Sequence, residues 1–472
     1  MVHYGKFYMD GEWVDPLDSR PFELIDPATE EPFATVSLGS AQDVDRAVQA
    51  AQRALPAFSR TSKAERIALL ERIIEAFTAR EADIMAAITQ EMGAPRSLTA
   101  QTGSALAAFR QAIATLKEYQ FETRLGANIV RREPIGVAGL IMPWNWPIQL
   151  ISNKLSSAFA AGCTVVAKPS EFTPVSAIIM AEALHDAGVP KGVFNLVNGD
   201  GPTVGHAISA HDDIALVSFT GSTRAGVLVA EAASASIKRV AQELGGKSAN
   251  VILPDADLKA AAQYNVSRGF SNTGQSCHSP TRILVHQSQV DEVLGHLKDA
   301  VAEVRPGDPR DPATTMGPVV NRAQFDRIQR YIRIGLDERA RLICGGPGRP
   351  EGLSRGFFIR PTIFADVTPR MTIAQEEIFG PVLSVISYKD EAEAVEIANG
   401  TRYGLGAYVF SADREKGLAI ARQLQAGRVF YNGAPANTVA PMGGYKQSGN
   451  GREMGVFGME EYLEIKAIIG FD

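Results

Sequence analysis

The chain has 472 residues, 45% of them hydrophobic and 21% charged, with a formal net charge of -6. That length exceeds one ordinary core, so two or three domains are expected, and the mild charge without a long Lys/Arg run gives no reason to expect nucleic acid or an anionic membrane as partner. Three cysteines are too few for a disulfide framework, no run of about 18 apolar residues could span a bilayer, and no signal-peptide layout opens the sequence, so a cytosolic protein is expected.

In chain order, FYMDGEWV reads as a hairpin turning at Asp10-Gly11. Two helices follow. Ser40 and Asp43 resemble a capping box before the first; Ser62 and Glu65 form a better one, after which Ile67, Leu70, Ile74 and Phe77 repeat at helical spacing. From about 136 to 253 short β-branched runs alternate with helices: GVAGLIM, CTVVAKP, GVFNLVN, IALVSFT and ANVIL are strand candidates, and a helix starts at Thr173-Pro174 and stops at Gly188. Such alternation predicts a parallel sheet with crossover helices, the architecture of a nucleotide-binding domain. A second α/β series begins near 255, with helices through DLKAAAQYNVSRGF and near 288–303 and 320–338, and strands at TRILVH, FFIRPTIF and GPVLSVISY. The tail YLEIKAIIG reads as a late strand.

Several segments carry chemistry, each beside a plainer reading. Gly199, Gly201 and Gly205 miss the dinucleotide fingerprint by one residue, and GGKS at 245–248 lacks the first glycine of a P-loop. In SFTGSTRAG, Gly221 and Ser222 lead from a strand into a helix N-terminus, which suits a pyrophosphate or is a plain turn. Lys168 and Glu171 sit just past a strand's carboxyl end, where they either pair with each other or hold ribose hydroxyls. In PWNWP, Asn145 either caps its own backbone or donates to an oxyanion. Glu243 precedes two glycines that let other segments approach closely, and matters only if a nucleophile is near. Cys163 and Cys344 lie in predicted strands and read as packing residues. Cys277, in NTGQSCHSP, lies among small and turn-forming residues that leave its sulfur accessible: nucleophile or spectator. No closely spaced His/Cys cluster suggests a metal.

Taken together, PWNWP, KPSE, FTGSTRAG, ELGGKS, NTGQSC, EEIFGPV and GGYKQSGNGRE resemble, in order and approximate spacing, the NAD(P)-dependent aldehyde dehydrogenase superfamily over essentially the whole chain. The resemblance implies an α/β fold with a Rossmann-like NAD-binding domain (1–115 and 136–245), an α/β catalytic domain (246–459) and a small β oligomerisation arm (116–135 and 460–472), in a homodimer or homotetramer. It implies Cys277 as nucleophile, Glu243 as general base, and Asn145 with the Cys277 amide as oxyanion hole. Lys168 and Glu171 would bind the adenosine ribose, Gly221 and Ser222 approach the pyrophosphate, Glu377 hold the nicotinamide ribose, and Trp144 and Phe379 contact the cofactor; Glu453 matches a proton-relaying carboxylate. The implied reaction oxidises an aldehyde to an acid through a thiohemiacetal and a thioester. NAD is favoured and NADP possible, because Glu171 disfavours a 2′-phosphate. A CoA-acylating or phosphorylating relative is the alternative, against which Glu243 argues; a non-catalytic family member is a further one. Ser271, Ser276, His278 and Asn153 depart from the commonest pattern, as does YNGAPANTVAPM, and predict a roomier or more polar substrate tunnel.

Overall fold

The computed structural model describes residues 1–470. An eight-stranded sheet runs in the spatial order Gly449–Asn450, Arg239–Glu243, Leu216–Thr220, Val137–Ile141, Thr164–Lys168, Phe194–Leu196, Phe7–Met9, Glu12–Val14. Its central five strands are parallel, and the outer strands pair antiparallel. Val137–Ile141, Thr164–Lys168 and Leu216–Thr220 are buried throughout, which is why they appear in the sequence as unbroken apolar runs rather than alternating ones. Chain order reverses between Val137–Ile141 and Leu216–Thr220, so the loops after both strands open on the crevice where such sheets bind ligands.

A seven-stranded sheet follows, ordered Arg341–Cys344, Thr362–Ala365, Val382–Tyr388, Arg282–His286, Ala249–Ile252, Gly406–Phe410, Arg428–Tyr431, parallel except at its first pair. Apolar clusters cover both faces of each large sheet. A three-stranded sheet joins Leu463–Ile469 antiparallel to Asn128–Pro134, which pairs with Glu122–Leu125. Leu125, Ile465 and Ile469 on it are exposed. Residues 471 and 472 of the expected arm lie outside the described residues.

The hairpin turns at Asp10 and Gly11, both at positive φ. Both capping boxes form: the Ser40 and Ser62 amides donate to Asp43 and Glu65 at 2.9 and 2.7 Å. The buried face of Lys63–Ala79 is Leu69, Leu70, Ile73 and Phe77, with Ile67 and Ile74 at its margin, a turn of the stripe from the expected register. Four helices, not two, precede residue 119, because Glu81–Met92 and Ala100–Glu118 follow the first pair. Thr173 does begin a helix at Pro174, yet its hydroxyl makes no bond; Glu91, from the preceding helical layer, caps Val175 and Ser176 instead. ANVIL belongs to the second sheet, and of FFIRPTIF only Thr362–Ala365 is strand, the prolyl nitrogen of Pro361 having no ladder hydrogen to give.

Candidate active site

The two large sheets meet around a cavity of about 460 Å³ lined by Trp144, Asn145, Gly221, Ser222, Glu243, Cys277, Glu377 and Phe379 among others. Register explains part of this convergence. Ile141 pairs with Lys168 and Phe219, and Thr220 pairs with Glu243, so the carboxyl ends of four strands align on one sheet edge. Glu243 is the last residue of its strand; its carbonyl accepts from the Gly221 amide at 3.0 Å.

Cys277 is delivered by an unusual turn. After the helix Leu258–Phe270, Asn272, Thr273 and Gly274 take φ of 52°, 57° and 70° in succession. Two non-glycine residues in the left-handed region are costly, and the surroundings over-determine them. Asn272 Nδ2 donates to the Asn145 carbonyl at 2.8 Å, Thr273 Oγ1 to the Gly317 carbonyl at 3.0 Å. Gln275, fully buried, bonds the Asn272 carbonyl and accepts from the Val320 amide at 3.0 Å. A side chain at Gly274 would meet the Gly380 backbone at 2.3 Å. The glycines after Glu243 do what their small size allows: a Cβ at Gly245 would strike Glu377 at 2.2 Å, and one at Gly246 the Cys277 carbonyl at 2.3 Å.

Asn145 is buried, and its Nδ2 donates to the Gln275 carbonyl at 3.0 Å, leaving its second amide hydrogen for a ligand. Trp146 Nε1 donates to Ser276 Oγ at 2.8 Å. Trp144 meets Phe379 edge-to-face at 5.4 Å, Phe379 being held at φ 62°. Glu377 accepts from the Gly246 amide at 3.0 Å, and burial raises its carboxyl to about 7.

Glu243 is buried and neither carboxylate oxygen has a protein partner. Burial, then the nearby Glu453 charge, pushes its pKa well above the usual carboxylate range; Lys154 opposes this in part. Cys277 is partly accessible at the cavity wall. Burial, then Glu377 and Glu243, pushes its thiol up. The other cysteines are unpaired, Cys163 fully buried and Cys344 at the edge of a core cluster.

Other expected residues lie outside the cavity lining. Lys168 Nζ donates to the Pro169 and Gly199 carbonyls, both at 2.8 Å, and stands 3.8 Å from Glu171. Glu453 forms a buried ion pair with Lys154, whose ammonium also reaches Ser218 Oγ at 3.1 Å. Asn153 is not among the lining residues: it is buried on the helix Pro147–Ala161 and donates to Glu453 at 3.4 Å. Ser271, Ser276 and His278 do line the cavity, as do Ala436–Val439 and Met442 of the divergent segment. Lys154 escaped the sequence reading, though a lone lysine in the apolar run ISNKLSSAFAA was its signal. Among the described residues no His, Cys, Asp or Glu group could hold a metal, and no helix is long and apolar enough to cross a membrane.

The residues at one end of this cavity fit a dinucleotide. Gly221 and Ser222 lead into the helix Thr223–Ala233, whose N-terminal amides and dipole favour a diphosphate, and the buried Glu377 carboxylate offers a hydroxyl partner before the thiol is reached. Residues 13–468 match the model of the aldehyde dehydrogenase family, and the chain belongs to that family. It is 51% identical, over the full length of both, to a 3-succinoylsemialdehyde-pyridine dehydrogenase of Pseudomonas sp. A mutant of aldehyde dehydrogenase C from Pseudomonas syringae, complexed with NAD+ and octanal, superposes with a TM-score of 0.98 at 50% identity, covering 99% of this chain and 97% of that one. An NAD+ complex of a Mycobacterium tuberculosis aldehyde dehydrogenase gives 0.96 at 39% identity, covering 99% and 98%.

Proposed function

We propose that this enzyme oxidises an aldehyde to a carboxylic acid with NAD, through a covalent adduct on Cys277 that water resolves. The observation carrying this reading is that Cys277, Asn145 and Glu243 line one cavity from three distant parts of the chain. The thiol, held neutral by its surroundings, loses its proton to Glu243 or solvent and attacks the carbonyl carbon. The resulting oxyanion accepts hydrogen bonds from the free Asn145 amide N–H and the Cys277 backbone N–H. NAD, held against Trp144 and Phe379, would supply the hydride acceptor that turns this adduct into a thioester. The thioester left on Cys277 is hydrolysed by a water that gives its proton to Glu243, a base strengthened by its raised pKa. Glu453 with Lys154 forms the route by which that proton leaves.

Residues 1–115 and 136–245 carry the cofactor in this reading, with Lys168 and Glu171 on the adenosine ribose, Gly221 and Ser222 at the pyrophosphate, Glu377 on the nicotinamide ribose, and Trp144 and Phe379 against the nicotinamide. Residues 246–459 bring the nucleophile. The exposed strands within 116–135 and 460–472 join copies into a dimer or tetramer, and the enzyme works in the cytoplasm. An aldehyde panel followed by NADH absorbance, with and without coenzyme A or phosphate, tests it. NADH formation needing neither addition is expected; strict dependence on coenzyme A or phosphate favours the acylating or phosphorylating alternative.

A further inference from the structure

The cavity has a second charged feature that the chemistry above does not use. Arg268, near the end of the helix Leu258–Phe270, lines it together with Cys277, His278 and Tyr408. Among the described residues no carboxylate lies within ion-pair distance of Arg268, whereas most arginines of the chain that enter bonds at its surface face one. Its side chain bonds His278 Nε2 at 3.1 Å and the hydroxyls of Tyr264 and Tyr408, none of which carries a negative charge. That ring is neutral, since burial, then Arg268 and Arg428, pushes His278 down to about 3, so Nε2 accepts and the guanidinium charge meets only neutral partners. Tyr408 donates to the His278 carbonyl at 2.8 Å, which fixes the group beside the nucleophile.

Arg428 adds positive charge without being free. Its Nε donates to the Pro441 carbonyl at 2.7 Å and its Nη2 to the Asn437 carbonyl at 3.2 Å, so it shapes the loop that walls the cavity. The cavity's carboxylates, Glu243 and Glu377, are both engaged in the chemistry proposed above. The same cavity lining is rich in apolar side chains, Trp146, Leu150, Phe430, Val439 and Met442 among them. An uncompensated cation in a water-poor cleft favours an anionic ligand group, and a guanidinium fork matches a carboxylate in two-pronged fashion.

We propose that Arg268 is a specificity-determining residue that anchors the remote carboxylate of the substrate, making the preferred substrates ω-oxo carboxylic acids: aldehyde at Cys277, apolar spacer, carboxylate at Arg268. The proposal rests on Cys277 being the nucleophile.

The test is steady-state NADH production from a ladder of ω-oxo carboxylates, succinic to suberic semialdehyde, each against the unbranched aldehyde of equal chain length. At the best-fitting length the wild type favours the carboxylate in kcat/KM, chiefly through KM. Arg268→Met lowers kcat/KM for that carboxylate by about 10- to 100-fold, the range for losing a charge-assisted hydrogen bond, and leaves the matched alkanal within a few-fold. Arg268→Lys recovers part of the loss. Should Arg268→Met fold poorly, added salt on the wild type gives the same reading, raising KM for the carboxylate and not for the alkanal. No carboxylate preference at any length, or equal loss for both substrates in Arg268→Met, overturns the proposal. Absence of NADH from every aldehyde would overturn the Cys277 reading itself, and this inference with it.

Discussion

Asn145 Nδ2 and the carbonyl of Gln275 lie 3.0 Å apart, a bond that ties the loop after one sheet's strand to the turn that carries Cys277. The Asn272 amide returns the tie by donating to the Asn145 carbonyl. Asn145 and the turn carrying Cys277 are therefore held together, and in the proposed mechanism the oxyanion geometry is built before substrate arrives.

Asn145→Ala is accordingly expected to lower kcat by about 10²–10³-fold, the usual cost of removing one oxyanion donor, with NAD affinity close to wild type. Single-turnover NADH formation and a binding titration check this. A substitution that changed only KM would show that Asn145 merely supports the loop.

Cys277→Ala and Cys277→Ser should both abolish aldehyde oxidation and retain NAD binding. Cys163→Ala should keep turnover, because that sulfur is fully buried, away from the cavity, and bonds the Tyr462 carbonyl at 3.3 Å. Measuring NADH production and cofactor binding on all three variants decides it, and an active Cys277→Ala would remove the assignment.

In the proposed reading, cofactor choice follows from Glu171. The neighbouring ammonium of Lys168 is already shared between two carbonyls and stands 3.8 Å from the Glu171 carboxylate, so little positive charge is left to receive a 2′-phosphate. Wild-type kcat/KM should favour NAD over NADP. Glu171→Gln should narrow the gap by raising NADP use; an unchanged ratio would place discrimination elsewhere.

Lys154 and Glu453 form a buried pair, and a buried charge without its partner is costly. Lys154→Met should destabilise the fold by about 3–5 kcal/mol, read as a fall in the denaturant midpoint. The double substitution Lys154→Met with Glu453→Leu should recover much of that, because no unpaired charge remains. A single substitution as stable as wild type would mean that water reaches the pair.

The parallel sheet was legible because its central strands are buried on both faces and spell β-branched runs. The strand holding Glu243 was not, since RVAQE is polar: Arg239 bonds the Glu461 and Leu463 carbonyls and Gln242 the Gly226 carbonyl, contacts made to segments distant in sequence. Ala100–Glu118 was hidden by Thr102, Gly103 and Ser104 in its first turns, and Gly406–Phe410 by the glycine that opens it. Cys277, Asn145 and Glu243 each stood out by local composition and by resemblance to a family, but only strand order brings them to one cavity. Arg268 carried no local mark of importance, because a single cation on a mixed helix becomes informative only when its surroundings are known, whereas Lys154 was marked by the apolar run around it.

The last prediction concerns Glu243 and pH. Burial and Glu453 raise its pKa above the usual carboxylate range, so at a given pH less of it is the carboxylate base than for an ordinary glutamate. Cys277, raised by burial, Glu377 and Glu243, is likewise a thiol. For an acid with a raised pKa the charged form appears only as pH climbs through the raised value, so kcat and kcat/KM should rise toward alkaline pH. In Glu243→Gln the water-activating base is gone while Asn145 and Cys277 remain. Rapid mixing should then give a burst of NADH of about one equivalent per site followed by turnover slowed about 10²–10⁴-fold, as acyl-enzyme accumulates. If Glu243 also deprotonates the thiol, the burst itself slows, and higher pH restores it by forming thiolate directly. The slow phase should not recover in the same way, since it lacks a base rather than a nucleophile. Steady-state activity near wild type in Glu243→Gln, with the alkaline rise intact, would assign water activation to another group, with Glu453 the first to test.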